Sequence, residues 1–456
     1  MTAPRHIAVI DVGKTNAKLA LVDAATLNEI AVVTRPNGVL PGPPWPHFDL
    51  EGHWAFFIEA LRDFHALHGI DAISVTTHGA AAVLLDAGGG LAAPMLDYEH
   101  DGPDTLAAEY DALRPDFALT GSPRLGGGLN LGAQLHWMLH KDPGLDARLA
   151  HVVTYPQYWG FKLTGVLASD VTSLGCHTDL WEPYSGQQSA LVAALNLSGR
   201  VAPPRPASDV LGPVTQEIVT LTGLNPGTPA ACGIHDSNAS LYPHVLGRAA
   251  PFSVVSTGTW VIAMSVGGAP VTLDPSRDTL VNVSGTGMPV PSARFMGGRE
   301  YELIRDGSDT SASDIDMQQV LDRRVMLLPG IEQGSGPFRG VVGGWTVAPE
   351  NEGQKMVALG YYLALMTQTC LELTGARGPV IVEGPFARNR WYLQMLAALR
   401  PDGVEAMQSA TGTSSGAALL FARQHMVQPG IPIVCNAPEG LKRYADQWIA
   451  QVKRAT

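Results

Sequence analysis

Five residues near the N-terminus carry groups suited to binding phosphate. In "HIAVIDVGKTNAKLALVDA", residues 6–24, two apolar runs flank a short break holding Asp11, Gly13, Lys14, Thr15 and Asn16. Gly13 permits a bend, Lys14 supplies charge, Thr15 and Asn16 supply donors, and backbone N–H groups at such a tip can converge on an anion. Asp11 adds a carboxylate suited to Mg²⁺, which keeps most of its waters and needs few protein ligands. A charged surface turn accounts for the loop equally well. The pattern is not GxxxxGK[ST], and no helix follows directly, so a P-loop fold is disfavoured.

A second break of this kind lies in "FSVVSTGTWVIAMSV", residues 252–266. Laying Ile10–Thr15 over Val255–Trp260 puts Gly13 on Gly258, so each half of the chain opens on a glycine-tipped hairpin. That favours a duplicated fold over coincidence. Thr257, Gly258 and Thr259 offer hydroxyls and backbone donors but no charge, and the pair of loops could clamp the phosphates of one nucleotide.

In "CGIHDSNASLYPHV", Asp236 stands where a turn gives way to a short helix. It reads either as an N-cap or as a general base accepting a hydroxyl proton during phosphoryl transfer. His235 is the competing base, and spacing does not decide between them. His78-Gly79 ends a strand in "VTTHGAAAVLLD", where α/β sheets contact ligands, although a lone histidine there is more often structural. In "VIVEGPFARNRW", Gly384 would let backbone approach a flat group such as adenine, and a tight strand-to-helix turn would need it in any case.

The elements that hold these groups follow from apolar periodicity. Strands are expected at "HIAVIDV", "AKLALVDA", "EIAVVTR", "DAISVTTHG" and "AAVLLDA". Trp54, Phe57, Leu61, Phe64 and Leu67 recur at steps of three or four, the spacing of one helix face. The second half reads as a long helix from Asn351, a strand "PVIVEG", a helix "ARNRWYLQMLAALR", and a helix "GTSSGAALLFARQHM" with a small-residue start. "PGLDARLAHVV" and "GRVAPPRPASDVLGP" read as surface connections. The chain has 456 residues, enough for two domains of roughly 200, and "LGRAAP" is the natural boundary, giving domains 1–246 and 247–456.

Composition narrows the partners. Thirty basic against 42 acidic residues leave a formal charge of −12, with no basic run, which argues against nucleic acid. Fifty glycines are above the usual share of roughly 7%. Cys176, Cys232, Cys370 and Cys435 are scattered, supplying neither a disulfide framework nor a zinc site, as suits a cytoplasmic protein. No apolar run is expected to reach the ~18 residues of a membrane span, and no signal-peptide core is seen.

In order and spacing these segments resemble the FGGY carbohydrate kinases of the actin-like ATPase superfamily, from about residue 6 to 424. "DVGKTN" is similar to that family's first phosphate loop and "STGTW" to its second. "GIHDSNA" resembles the stretch whose aspartate is the catalytic base, which falls on Asp236. "EGPFARNRWYLQMLAAL" resembles the adenosine segment, bringing in Pro385 and Asn389, and "GTSSGAALLFA" resembles the closing helix. "THG" resembles the Met-His-Gly of xylulose kinases, and "QYWGFKLTG" with "ASDVTSLG" resembles a further sugar-side segment.

The resemblance implies an α/β fold of two actin-like (ribonuclease H-like) domains with a nucleotide cleft between them. It implies ATP and Mg²⁺ as cofactors, the metal at Asp11 and Asp236, and a ketose acceptor such as a pentulose or 6-deoxy-ketohexulose. His78, Gly79, Gln157 and Tyr158 are the sugar contacts it brings forward, with sugar and ATP as partners and a homodimer as the assembly to look for. A sugar-independent ATP hydrolase, a non-catalytic sensor and an actin-like filament subunit are the rival readings. Departures are plain. Lys14 replaces a usual threonine, adding a charge that could reach a phosphate oxygen. Glu383 and Leu359-Gly360 break family positions, and the sugar segment is matched only by "DYEHD", Asp97–Asp101. "FMGGREYELI", around Arg299, faintly resembles a rhamnulose kinase segment.

Overall fold

The computed structural model describes residues 4–408, 412–422, 429–435 and 438–455. The chain divides into two compact units. The first is Met1–Gly247 with Val281–Pro289 and Thr411–Val427, and the second is Arg248–Leu280 with Val290–Ala410 and Gln428–Thr456. The chain therefore returns to the first unit twice after residue 247, which a single cut at 246/247 does not represent.

In the first unit β1 (His6–Val12), β2 (Asn16–Asp23) and β3 (Glu29–Pro36) form an antiparallel meander. On its other side β1 pairs in parallel with β4 (Ala72–Thr77), and β4 in parallel with β5 (Pro229–Ala231) and β6 (Ile234–His235). The central strands are apolar throughout because both faces are covered. Ala8, Ile10 and Val12 join Phe57, Leu61 and Phe64 of the helix Leu50–His68 in one core. Ile7 and Val9 pack instead with Ala417 and Ala418 of the helix Thr413–Ala418. Alternate residues of one strand thus serve two cores. Leu67, expected on the buried helix face, is 75% exposed, since the face is completed by Ala60 rather than by the last turn.

The second unit repeats the plan. β7 (Phe252–Thr257), β8 (Val261–Val266) and β9 (Pro289–Phe295) run antiparallel, and β7 pairs in parallel with β10 (Val380–Glu383), which pairs in parallel with β11 (Val404–Ala406). The order β3-β2-β1-β4-β5 in one unit matches β9-β8-β7-β10-β11 in the other. The helix Glu352–Leu373 runs through this core. By length and composition it could cross a membrane, contrary to the sequence expectation, but 78% of its apolar window is buried inside the protein. The helix Arg390–Leu399 is preceded by a 3-10 turn, Pro385–Arg388. The expected helix from Gly412 spans Thr413–Ala418 and tightens to a 3-10 turn at Leu419–Phe421; residues 423–426 of that reading lie outside the described residues. Pro204–Arg205 and Val210–Pro213, read as surface connection, are short strands.

Candidate active site

Strands β1, β4 and β6 are parallel, with Val12 beside Thr77 and Thr77 beside His235. Their C-terminal ends therefore bring Gly13, His78 and Asp236 to one edge of the first unit, where open α/β sheets take ligands. The hairpin tip is tied down from below. Gly13 N–H donates to Asn16 O at 2.9 Å, and Asn37 donates from its backbone to Thr15 O and from Nδ2 to Gly13 O, each at 2.8 Å. Thr15 and Asn16 stay exposed at the tip.

Asp11 is buried, and its Oδ2 accepts from Thr413 Oγ1 at 2.5 Å and Ser414 Oγ at 3.2 Å, with Lys18 Nζ also at 3.2 Å. Asp236 holds its Oδ1 in a similar way: Ser237 donates from N at 2.6 Å and from Oγ at 3.3 Å, and His235 Nε2 lies 3.2 Å away. Each carboxylate keeps one oxygen outside the described hydrogen bonds. Among the described residues no group of three or more His, Cys, Asp or Glu could hold a metal ion. Mg²⁺ asks for less, one or two carboxylates beside substrate phosphates and water, and this donor chemistry fits it.

The two candidate bases differ in access. His235 is almost wholly buried while the Asp236 side chain is 29% exposed. Burial holds both His235 and His78 below the usual histidine range, so both are neutral at pH 7. His235 N–H donates to Thr172 Oγ1 at 3.0 Å, and a Cβ at Gly79 would lie 2.5 Å from His235 Nε2, so Gly79 provides the room for that ring. His78 is enclosed by Phe48, Tyr98 and Tyr155, with ring centroids at 5.3, 5.1 and 5.1 Å. Its Nδ1 lies 3.0 Å from Gly79 O, and its buried Nε2 has no partner among the described residues.

Two expectations need correction, and a third side chain is engaged elsewhere. Gln157 is fully buried with both amide hydrogens used: Nε2 donates to Cys232 O at 3.0 Å and Gly233 O at 3.1 Å, and Thr154 Oγ1 donates to Oε1 at 2.5 Å. It braces the strand approach to Asp236 from within the helix Tyr155–Thr164, fully buried and with no donor left for a sugar. Tyr158 is buried in the core beneath the helix Leu50–His68, packed on Trp159. Lys14, expected to reach phosphate, points its Nζ at Asp97 Oδ1, 2.5 Å, and Glu99 Oε2, 3.1 Å.

In the second unit the remaining residues meet around one cavity of about 830 Å³, lined by Gly258, Thr259, Pro385, Phe386 and Asn389 together with Gly298, Arg299, Tyr301 and Trp391. Thr257 and Gly384 do not line it but hold the turn that carries Pro385 and Phe386. Thr257 Oγ1 donates to Glu383 O and accepts from Phe386 N–H at 3.1 Å, so this hydroxyl holds a turn and is not open to phosphate. Gly384 has φ +82°, and a Cβ there would fall 2.0 Å from Thr257 O. Asn389 caps the helix Arg390–Leu399 by accepting from Tyr392 N–H at 3.1 Å. Gly298 and Tyr301 escaped the sequence reading. Their signal was the paired glycine of "FMGGREYELI", which opens the helix Gly297–Arg305 and lets Gly298 N–H donate to Thr259 O at 3.1 Å.

Comparison with known proteins agrees with this architecture. Residues 124–242 match the N-terminal domain of the FGGY family of carbohydrate kinases, and residues 249–429 match the carbohydrate kinase FGGY C-terminal domain. The crystal structure of a carbohydrate kinase from Novosphingobium aromaticivorans superposes with a TM-score of 0.90 at 36% identity, covering 98% of this chain and all of that one. L-fuculokinase of Salmonella typhi is 24% identical over 275 residues, and rhamnulokinase of Klebsiella pneumoniae 27% over 194. These matches take in 57% and 39% of this chain and only 56% and 39% of the two relatives. The α/β fold with two sheet-containing domains is that of the actin-like ATPases. With both family domains matched in order and a relative of 36% identity covered end to end, the chain belongs to the FGGY family of carbohydrate kinases.

Proposed function

We propose that this protein transfers the γ-phosphoryl group of ATP to a hydroxyl of a small neutral sugar, a ketose of the pentulose or 6-deoxy-ketohexulose type. One observation carries the reading: Asp236 stands at the C-terminal edge of parallel strands with one oxygen fixed, the other outside the described hydrogen bonds, and its side chain 29% exposed. That oxygen accepts the hydroxyl proton while the sugar oxygen bonds to γ-phosphorus and the bond to the β-bridging oxygen breaks, releasing ADP. His235, neutral in the Nε2–H form, donates to Oδ1 and steadies the carboxylate without competing for the proton.

In the second unit the cavity beside Gly258 and Asn389 takes the adenosine and the backbone at Gly258–Thr259 offers donors to phosphate; in the first unit the backbone at Gly13–Asn16 offers such donors, and His78 and Gly79 face the sugar. Mg²⁺, held through Asp11 and Asp236, would offset charge on the phosphates. Gln157 and Tyr158 are assigned to support. The names of the fuculokinase and rhamnulokinase relatives favour a 6-deoxy-ketose. Little covalent work falls to the protein, so positioning and electrostatics supply most of the rate.

The test is ADP release across a panel of ketoses and polyols. Wild-type protein should respond to at least one ketose, and Asp236→Ala should lose roughly 10²–10⁴-fold in turnover while binding ADP as wild type does. ATP turnover that no sugar stimulates, or full activity in Asp236→Ala, would overturn the reading.

A further inference from the structure

Lys14 is the residue of the first loop that family likeness explains least. Its ammonium is ringed by groups of the neighbouring 97–99 segment. Beyond the contacts to Asp97 and Glu99, Nζ lies 4.7 Å from the Tyr98 ring centroid and 5.1 Å from that of Phe48. Those two rings also enclose His78. Asp97 is itself mostly buried, with its side chain 11% exposed, so withdrawing the lysine would leave a carboxylate without its counter-charge in a largely desolvated place. Two carboxylates against one ammonium also leave no net positive charge to offer a phosphate.

We infer that the Lys14 side chain positions the acceptor side: it ties the phosphate-loop hairpin to the 97–99 segment and keeps Tyr98 against His78, and its ammonium does not bind phosphate. The tie links the ordering of the first loop to the wall of the sugar pocket. This rests on the assignment of His78 to the acceptor made above.

The experiment uses Lys14→Ala, Lys14→Arg and Asp97→Asn in the full chain, with two readouts. The first is the KM for sugar and for ATP, measured separately. The second, independent of turnover, is amide hydrogen exchange in peptides covering residues 95–102. Lys14→Ala should raise the sugar KM about tenfold with the ATP KM within about twofold, and should speed exchange across 95–102. Lys14→Arg should recover most of both. Asp97→Asn should act in the same direction, and the double variant should be no worse than the poorer single, since both remove one interaction. A raised ATP KM with unchanged sugar KM and unchanged exchange would overturn the inference. If wild-type protein phosphorylates no sugar, the proposed function fails, and exchange decides Lys14 alone: faster in Lys14→Ala supports the tie, unchanged refutes it.

Discussion

At Gly384 the side chain that is missing matters more than any that is present. The position has φ +82°, and a β-carbon would meet Thr257 O at 2.0 Å. Any other residue must lift the turn off the strand, at a cost of about 1–3 kcal/mol. Because Pro385 and Phe386 of that turn line the cavity, Gly384→Ala should both lower the melting temperature and weaken ADP binding at least tenfold by calorimetry. A stable variant with wild-type ADP affinity would separate the turn from the nucleotide. The sequence placed a glycine between strand and helix here and offered a ligand as one reason for it. The structure supplies the other reason, close backbone packing. Neither a steric partner 127 residues away nor the ion pair of Lys14 with Asp97 can be read from local spacing.

At the level of elements, the strands and main helices were legible because their apolar runs are continuous and their breaks contain glycine or charge. What periodicity could not give was the direction of buried polar side chains. Gln157 sits on a helix with neighbours suited to a sugar, yet its amide faces inward to Cys232 and Gly233. Thr257 ends β7 and looks free in "STGTW", yet it bridges Glu383 O and Phe386 N–H. Such a bridge sets the angle between β10 and the turn that follows it. Thr257→Val should therefore remove both hydrogen bonds of this buried hydroxyl, costing about 1–3 kcal/mol, and should raise the KM for ATP several-fold with the sugar KM unchanged. Thr257→Ser should restore both. An equal rise in the two KM values would show that the bridge acts on more than the nucleotide side.

Over the whole molecule, the duplicated strand order was visible in two hairpins, but the titration of the folded chain was not, because it depends on burial. Two buried carboxyls are pushed up to about 7 by desolvation: Asp170, whose Oδ2 is unpartnered among the described residues, and Glu300, held by Glu332 N–H and the Tyr362 hydroxyl. Burial lowers four histidines, His53 to about 4 with help from Arg35, and His78, His136 and His235 in the same direction. The two sets act oppositely on stability. Between about pH 4 and 7 the folded chain holds protons on Asp170 and Glu300 that the unfolded chain has released, so their contribution falls as pH rises. Below the ordinary histidine value of about 6.5 the unfolded chain takes up protons that the folded one refuses, so stability falls as pH drops. Asp170→Asn removes one carboxyl while keeping an oxygen for the backbone N–H groups of Thr172 and Ser173. Relative to wild type it should gain up to about 1.4 kcal/mol per pH unit on going from pH 5 to 7, measured by urea unfolding at each pH. Parallel curves for the two proteins would mean that Asp170 is ionised in the folded chain, and that its unpartnered oxygen finds water or a cation.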